Sequence, residues 1–399
     1  MIVIQKKMDL ADIEGLYEQY GNESAKNLVD IQLPNDFQEE TIGVLPSLIQ
    51  FIATVIRDHK LEVLKTRFKN DEEKQGLMDA AKSYLWYVCA CLHWLNRFEY
   101  LNGESVKDDV RDVNRQVNEL MRNYKPIGHS FMLTCFDHLP RNVGLVKMFY
   151  QPSSFMMVDE VMVEQYVNQI IVNLATKINR QVIGQLHPLL KPLNAIIYEL
   201  FKNTDDWATK DRFGNPIEPS VRGLYFRYYK NYIDKIEEYS EKNASLNRYF
   251  MHPIYKADEE NKISFIEISI FDSGDGFIGR WLGENYTENT SIDEEVDIVK
   301  RCLTKYQTKE DGKKGIIKGM GLDRVLQTIN ERGFLRIRTN KVHVFRDMVQ
   351  DQYVASSDAG TIKLYDWKTL LDNQFTPYYN TKGSVITIIL PLDAVSYNK

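Results

Sequence analysis

Glu199, Asn203 and Asp206 are the first residues whose types and spacing could do chemistry. They lie in the run Glu199-Leu-Phe-Lys-Asn-Thr-Asp-Asp-Trp-Ala208. Glu199 and Asn203 are four apart and share one face of a helix, and Asp206 stays close to that face. An amide oxygen is a suitable hard ligand for Mg²⁺, which makes Asn203 the metal candidate. A carboxylate one turn earlier can take a proton from an attacking water, so Glu199 is the candidate general base. Alone, the same pattern is what an ordinary solvated helix face carries.

A second group is Phe271-Asp-Ser-Gly-Asp-Gly-Phe277, directly after a strand-like run. Asp272 at a strand end can accept a hydrogen bond from an exocyclic amine, and Gly274 and Gly276 let the backbone turn and approach a ligand. The same residues also make ordinary turns. A third is Thr308-Lys309 followed by Gly315-Ile-Ile-Lys-Gly319-Met-Gly321-Leu322, a glycine-punctuated loop running into a helix. Backbone N–H groups at a helix start hold phosphate oxygens. No G-K-[ST] closes this loop, so it is not a Walker P-loop. The fourth is Gly383-Ser384-Val-Ile-Thr-Ile-Ile-Leu-Pro391, a strand opening with a hydroxyl.

In this order the four segments resemble the GHKL superfamily of gyrase, heat-shock chaperone, histidine kinase and mismatch-repair ATPases. The resemblance covers about residues 160–391 and does not reach 1–155. It implies a Bergerat-type site for ATP and Mg²⁺. Asn203 would bind the metal, and Asp272 would contact the adenine amine with Ser384. Gly274 and Gly276 would admit base and ribose. Gly315, Gly319 and Gly321 would form the lid, with Lys309 near the terminal phosphate. Glu199 takes the general-base position, and Asp206 the acidic position after the Asn in gyrase-like members. The segment between Asn203 and Asp272 is longer than in the compact kinases. The chain ends soon after Pro391, where gyrase-like enzymes continue into a domain that supplies a catalytic lysine.

The elements that must position these residues suggest an α/β (α+β) chain in two parts. Residues 1–155 read as a mainly helical domain with a few strands, acting as scaffold or partner surface. Its helices are expected over Leu45–His59, Ser83–Phe98 and Ser105–Tyr124. Residues 156–399 read as a two-layer α/β sandwich. Helices are expected over 158–180 and 192–208, broken at His187-Pro188, with a further helix over Val221–Tyr239. Strands are expected at Lys262–Phe271, Phe334–Thr339, Thr361–Tyr365 and Ser384–Leu390. Ser291 and Glu294 form a capping box for a helix to about Leu303, and another helix runs from Gly321 to Asn330.

Composition narrows the class further. The chain has 399 residues, 43% hydrophobic and 27% charged, enough for a sizeable core. A net charge of −6 gives no general attraction to nucleic acid. Cys89, Cys91, Cys135 and Cys302 lack metal or redox spacing, and no signal peptide or membrane span is evident, so a cytoplasmic location is expected. The expected activity is a slow ATPase or ATP-gated switch acting on a protein partner or on its own homodimer. The alternatives are a histidine or serine kinase of the same type, and a binding-only nucleotide sensor.

Overall fold

The computed structural model describes every residue except 25–26, 40, 147–148, 152, 179–181, 241–242, 253–256, 305–320 and 393–399. The first hundred residues build a parallel sheet. Strands β1 (Ile2–Val3), β2 (Val29–Gln32), β3 (Leu61–Lys65) and β4 (Arg97–Glu99) lie side by side in that order. Parallel neighbours need crossovers, and helices provide them. Helix α1 (Leu10–Ser24) joins β1 to β2, and α2 (Val44–Arg57) joins β2 to β3. Helices α3 (Lys74–Ala80) and α4 (Tyr84–Leu92) lie between β3 and β4, and α5 (Lys107–Arg122) follows. Helices supply most of the regular structure here, as expected, and they are organised by a sheet whose strands the sequence reading did not locate. Its strands of two to five residues are too short to show alternation.

Helix α2 is buried at every position from Val44 to Ile56. A helix with no solvent face belongs in an interior, and α2 packs against strands of the second sheet. Each buried Leu, Ile or Val along it stabilises the contact by roughly 1.5–3 kcal/mol.

The second sheet is antiparallel throughout and has seven strands among the described residues. These are β5 (Ser130–Cys135), β6 (Arg222–Tyr232), β7 (Lys262–Asp272), β8 (Phe334–Asn340), β9 (Val342–Asp347), β10 (Tyr365–Asp366) and β11 (Thr381–Pro391). Their spatial order is β10-β9-β8-β11-β7-β6-β5. Strand β5 pairs with β6 from before residue 155, so a boundary at 155 does not match the sheet. Residues 222–232 are a strand, not the expected helix; only Ile233–Ser240 (α9) is helical. The run RGLYFRYYKNY is aromatic and buried on both faces at its start, which hides the period of two. The expected strand at 361–365 shrinks to β10, preceded by a short 3₁₀ turn, and β9 was not foreseen.

Side chains alternate across β7. Ile270 and Asp272 face a helical layer, and Glu267 and Ser269 face the N-terminal unit. After the short α6 (Arg141–Gly144), the helical layer contains α7 (Glu160–Ile178) and α8 (Val182–Trp207). Helix α8 continues through positions 188 and 192, both proline, where a break was expected. A buried stripe of Leu193, Ile196, Ile197, Leu200 and Phe201 anchors its second half. Among the described residues four further α-helices follow: α10 (Ala244–Phe250), α11 (Gly276–Leu282), α12 (Ile292–Cys302) and α13 (Gly321–Thr328). The Ser291 hydroxyl caps α12 by accepting from Glu294 N–H. The fold is therefore mixed α+β. No described helix is long and apolar enough to cross a membrane.

Candidate functional site

A cavity of about 420 Å³ lies between the end of α8, the exit of β7, helix α11 and the start of β11. Leu200, Ile270, Ile386 and Leu322 make its walls apolar, and Trp207, Phe277 and Trp281 add aromatic surface. Asn203, Asp272 and Ser384 put polar groups into it, and Arg212, Asp275 and Arg280 stand at its edge toward α11. An apolar pocket of this size with a few placed polar groups suits a small-molecule ligand.

Asp272 ends β7 and turns its carboxyl into the cavity. Gly274 N–H donates to its Oδ1 at 2.7 Å, and the Ser384 N–H also faces it. A carboxylate has about four acceptor positions, so capacity remains toward the cavity. Burial pushes its pKa up to about 6. The Gly274 amide and the Arg57 guanidinium pull the other way, and Asp275 adds to the rise. Near neutral pH the group is a half-buried carboxylate held by two backbone amides, with its remaining accepting capacity toward the cavity.

The surrounding turn depends on glycine. Gly383 has φ of 71°, and a Cβ there would overlap the Asp272 carbonyl oxygen. Its N–H donates to Gly274 O at 2.6 Å, which ties β11 to the turn. Gly276 has φ of 72°, and a Cβ there would strike the Asn340 side chain. Asn340 accepts from Ile278 N–H at 3.2 Å and donates to Asp275 O at 2.9 Å. Thr339 Oγ1 accepts from Phe277 N–H at 3.0 Å and lies 2.9 Å from Ser384 Oγ. The first amides of α11 are thus satisfied by β8.

The residues singled out from sequence divide into several groups. Asn203, Asp272, Gly276 and Ser384 line the cavity, and Gly274 sits behind Asp272. Glu199 is outside the lining, one turn before Asn203, with its Oε1 3.8 Å from Arg324 on α13. Burial raises its pKa, opposed by Lys202 and Arg324. Asp206 is exposed and does not line the cavity. Gly321 opens α13, whose Leu322 reaches the cavity. Lys309, Gly315 and Gly319 lie outside the described residues.

Other residues carry the site without having stood out in the sequence. Asp205, neighbour of Asp206, points to the sheet. It accepts from Tyr150 Oη at 2.7 Å and pairs with the buried Arg222 at 3.0 Å. Arg222 also grips Asp137 with two nitrogens, at 2.7 and 2.8 Å. This network fixes the end of α8 against β6. Arg280 stacks on Trp207 at 4.5 Å, and Arg212 lies over Phe213 and Tyr286. A basic residue close after the Asn-bearing helix was the one signal available for Arg212. No family model, curated protein or solved structure matches this chain, so the geometry of the cavity carries the functional reading.

Proposed function

We propose that the cavity binds ATP with Mg²⁺, as a GHKL-type site on a Bergerat-type sandwich. The observation that carries this is Asp272: a half-buried carboxylate with accepting capacity left toward an apolar pocket, beside Ser384. Such a group is matched by an exocyclic amine on a flat ring, and adenine presents that edge. Asp272 accepts from the amine, Ser384 takes part directly or through a water, and Ile270, Ile386 and Leu200 cover the ring faces. Gly276 and Gly383 allow the close backbone approach that brings Asp272 and Ser384 together.

The residues fit a metal that arrives with its ligand. Among the described residues no cluster of three carboxylate, imidazole or thiol groups forms a cage. Asn203 contributes one neutral oxygen, which suits an ion that keeps waters and phosphate oxygens as its other ligands. When bound, Mg²⁺ neutralises phosphate charge. Gly321, at the start of α13, keeps the place of the phosphate lid in the resemblance, and Asp206 the acidic place after the Asn. Glu199 takes a proton from the attacking water, a task its raised pKa suits. The protein would thus work as a slow ATPase or ATP-gated switch on a protein partner or a second copy of itself. A binding-only role is favoured by one observation, that Glu199 stands outside the lining and faces Arg324.

Calorimetry with MgATP and a phosphate-release assay on the same samples test the proposal. Wild type is expected to bind. Asp272→Asn is expected to lose at least about a hundredfold in affinity, because Gly274 N–H claims the amide oxygen and leaves an NH₂ facing the ligand amine. Glu199→Ala is expected to bind and release no phosphate. Wild-type protein that ignores ATP ends the nucleotide reading. Binding without release in wild type moves it to the sensor.

A further inference from the structure

The two chain segments that form the base of the cavity, the turn after β7 and the start of β11, are both held from behind by one helix of the N-terminal unit. Arg57 closes α2 and is mostly buried. Its Nη1 donates to Ser273 O at 2.5 Å and to Gly274 O at 2.7 Å, and its Nη2 pairs with Asp275 Oδ1 at 3.2 Å. The other oxygen of Asp275 accepts from Arg212 N–H at 2.6 Å, so this carboxylate is a brace within the turn. Three more residues, from the middle of the helix to just past its end, reach β11. Gln50 Nε2 donates to Gly383 O at 3.2 Å, Thr54 Oγ1 accepts from Lys382 N–H at 3.1 Å, and Asp58 pairs with Lys382 Nζ at 3.4 Å.

We infer that α2 is a working part of the nucleotide site, and that Arg57 is a positioning residue that sets the Asp272–Gly276 turn without touching the ligand. The inference rests on the nucleotide reading for its ligand, but not for its geometry. A planar guanidinium is what the place requires. Two carbonyls and a carboxylate converge on one side chain, and the fork of Arg meets all three where the point charge of Lys meets one at a time. Any displacement of α2 shifts both segments together, which gives the N-terminal unit a mechanical route to the cavity. The groups facing Asp272 are Arg57 from α2, Asp275 from its own turn and the amides of Gly274 and Ser384; Arg212 and Arg280 stand at the edge of the same cavity.

The test uses the full chain as wild type, Arg57→Gln, Arg57→Lys and Glu39→Gln. The last breaks a different contact of the N-terminal unit with the sheet, the Glu39–Arg227 pair, and leaves the turn alone. ¹³C NMR follows the Asp272 carboxyl titration without ligand, and calorimetry follows MgATP. Arg57→Gln is expected to move the Asp272 midpoint upward and to weaken ATP binding about tenfold or more, as small misplacements of a binding group do. Arg57→Lys is expected to restore the midpoint and only part of the affinity, and it carries the test if Arg57→Gln does not fold. Glu39→Gln is expected to lower the melting temperature and change neither readout. An unchanged midpoint and affinity in Arg57→Gln overturns the inference, as does an equal effect from Glu39→Gln. If wild type binds no ATP, the nucleotide reading falls, and the titration still judges the hold of Arg57 on the turn.

Discussion

Asp272 and Glu267 stand five residues apart on β7, on opposite faces of the sheet, and burial raises the pKa of both. Glu267 is wholly enclosed, and its oxygens are claimed. Tyr229 Oη donates at 2.8 Å, Ser269 Oγ donates at 2.8 Å, and the Gly43 amide adds a third bond. Asp272 takes its bonds from two backbone amides on one side and faces a cavity on the other. A perturbed carboxylate is therefore not in itself a site. The Glu267 network locks the N-terminal unit to the sheet, whereas Asp272 keeps unused capacity where a ligand can enter.

Breaking the enclosed carboxylate is expected to give the largest effect. Glu267→Ala strands three donors, which should cost about 3–5 kcal/mol and on the order of 10 °C in melting temperature. ATP affinity per folded molecule should stay within about threefold. A loss of affinity as large as that of Asp272→Asn would erase the distinction between the two faces.

Next, Asp272→Asn should stabilise the empty protein. The folded pKa of Asp272 is about 6 against an ordinary value of 3.8. The native state therefore holds its proton longer than the unfolded chain. Stability that is present below about pH 4 is lost as pH rises through about 6. The Asn variant escapes this loss, so above pH 6 it should gain up to about 3 kcal/mol, with no gain near pH 3. Urea unfolding at both pH values checks this. A destabilised variant at pH 7 would mean that the carboxylate is satisfied without a ligand.

On the proposed reading, the same group sets the pH dependence of MgATP binding. Affinity for MgATP should be flat above pH 7 and fall about tenfold by pH 5, because the protonated carboxyl no longer accepts fully from the amine. A flat profile from pH 5 to 8 would show that Asp272 does not contact the ligand. The smallest effect is expected of Ser384→Ala, about two- to tenfold in affinity, the worth of one hydrogen bond. Thr387→Ala, on the back face of the same strand where Thr387 meets Ser269, should leave affinity alone.

Much of the front face was legible in the sequence. Asn203, Asp272, Gly276 and Ser384 come from three segments and meet in one cavity, because each sits at the end of an element with an open period: α8, β7 and β11. Strand β6 was misread because its aromatic run is buried on both sides at first, so no alternation guides the eye. The few strands expected in residues 1–155 could not be located because they are so short. Arg57 could not be found at all. It lies 216 positions from Ser273, and nothing in a lone Arg at a helix end foretells which turn it will meet. Asp205 and Asp206 are neighbours of like chemistry, and only the rotation of α8 decides that the first braces Arg222.

Strands β7 and β8 do not pair with each other; each pairs with β11, the last strand described in the chain. A ribosome therefore delivers both halves of the sheet before it delivers the strand that joins them. Until β11 inserts, two long hydrophobic edges stay open, and such edges invite association with other chains. The contacts that close the β7 edge span more than a hundred residues, so closing it is a slow step of folding. The same strand brings Gly383 and Ser384 to Asp272, so the binding cavity is born with the final closure of the sheet. On the proposed reading, a newly made molecule engages nucleotide only after β11 has paired.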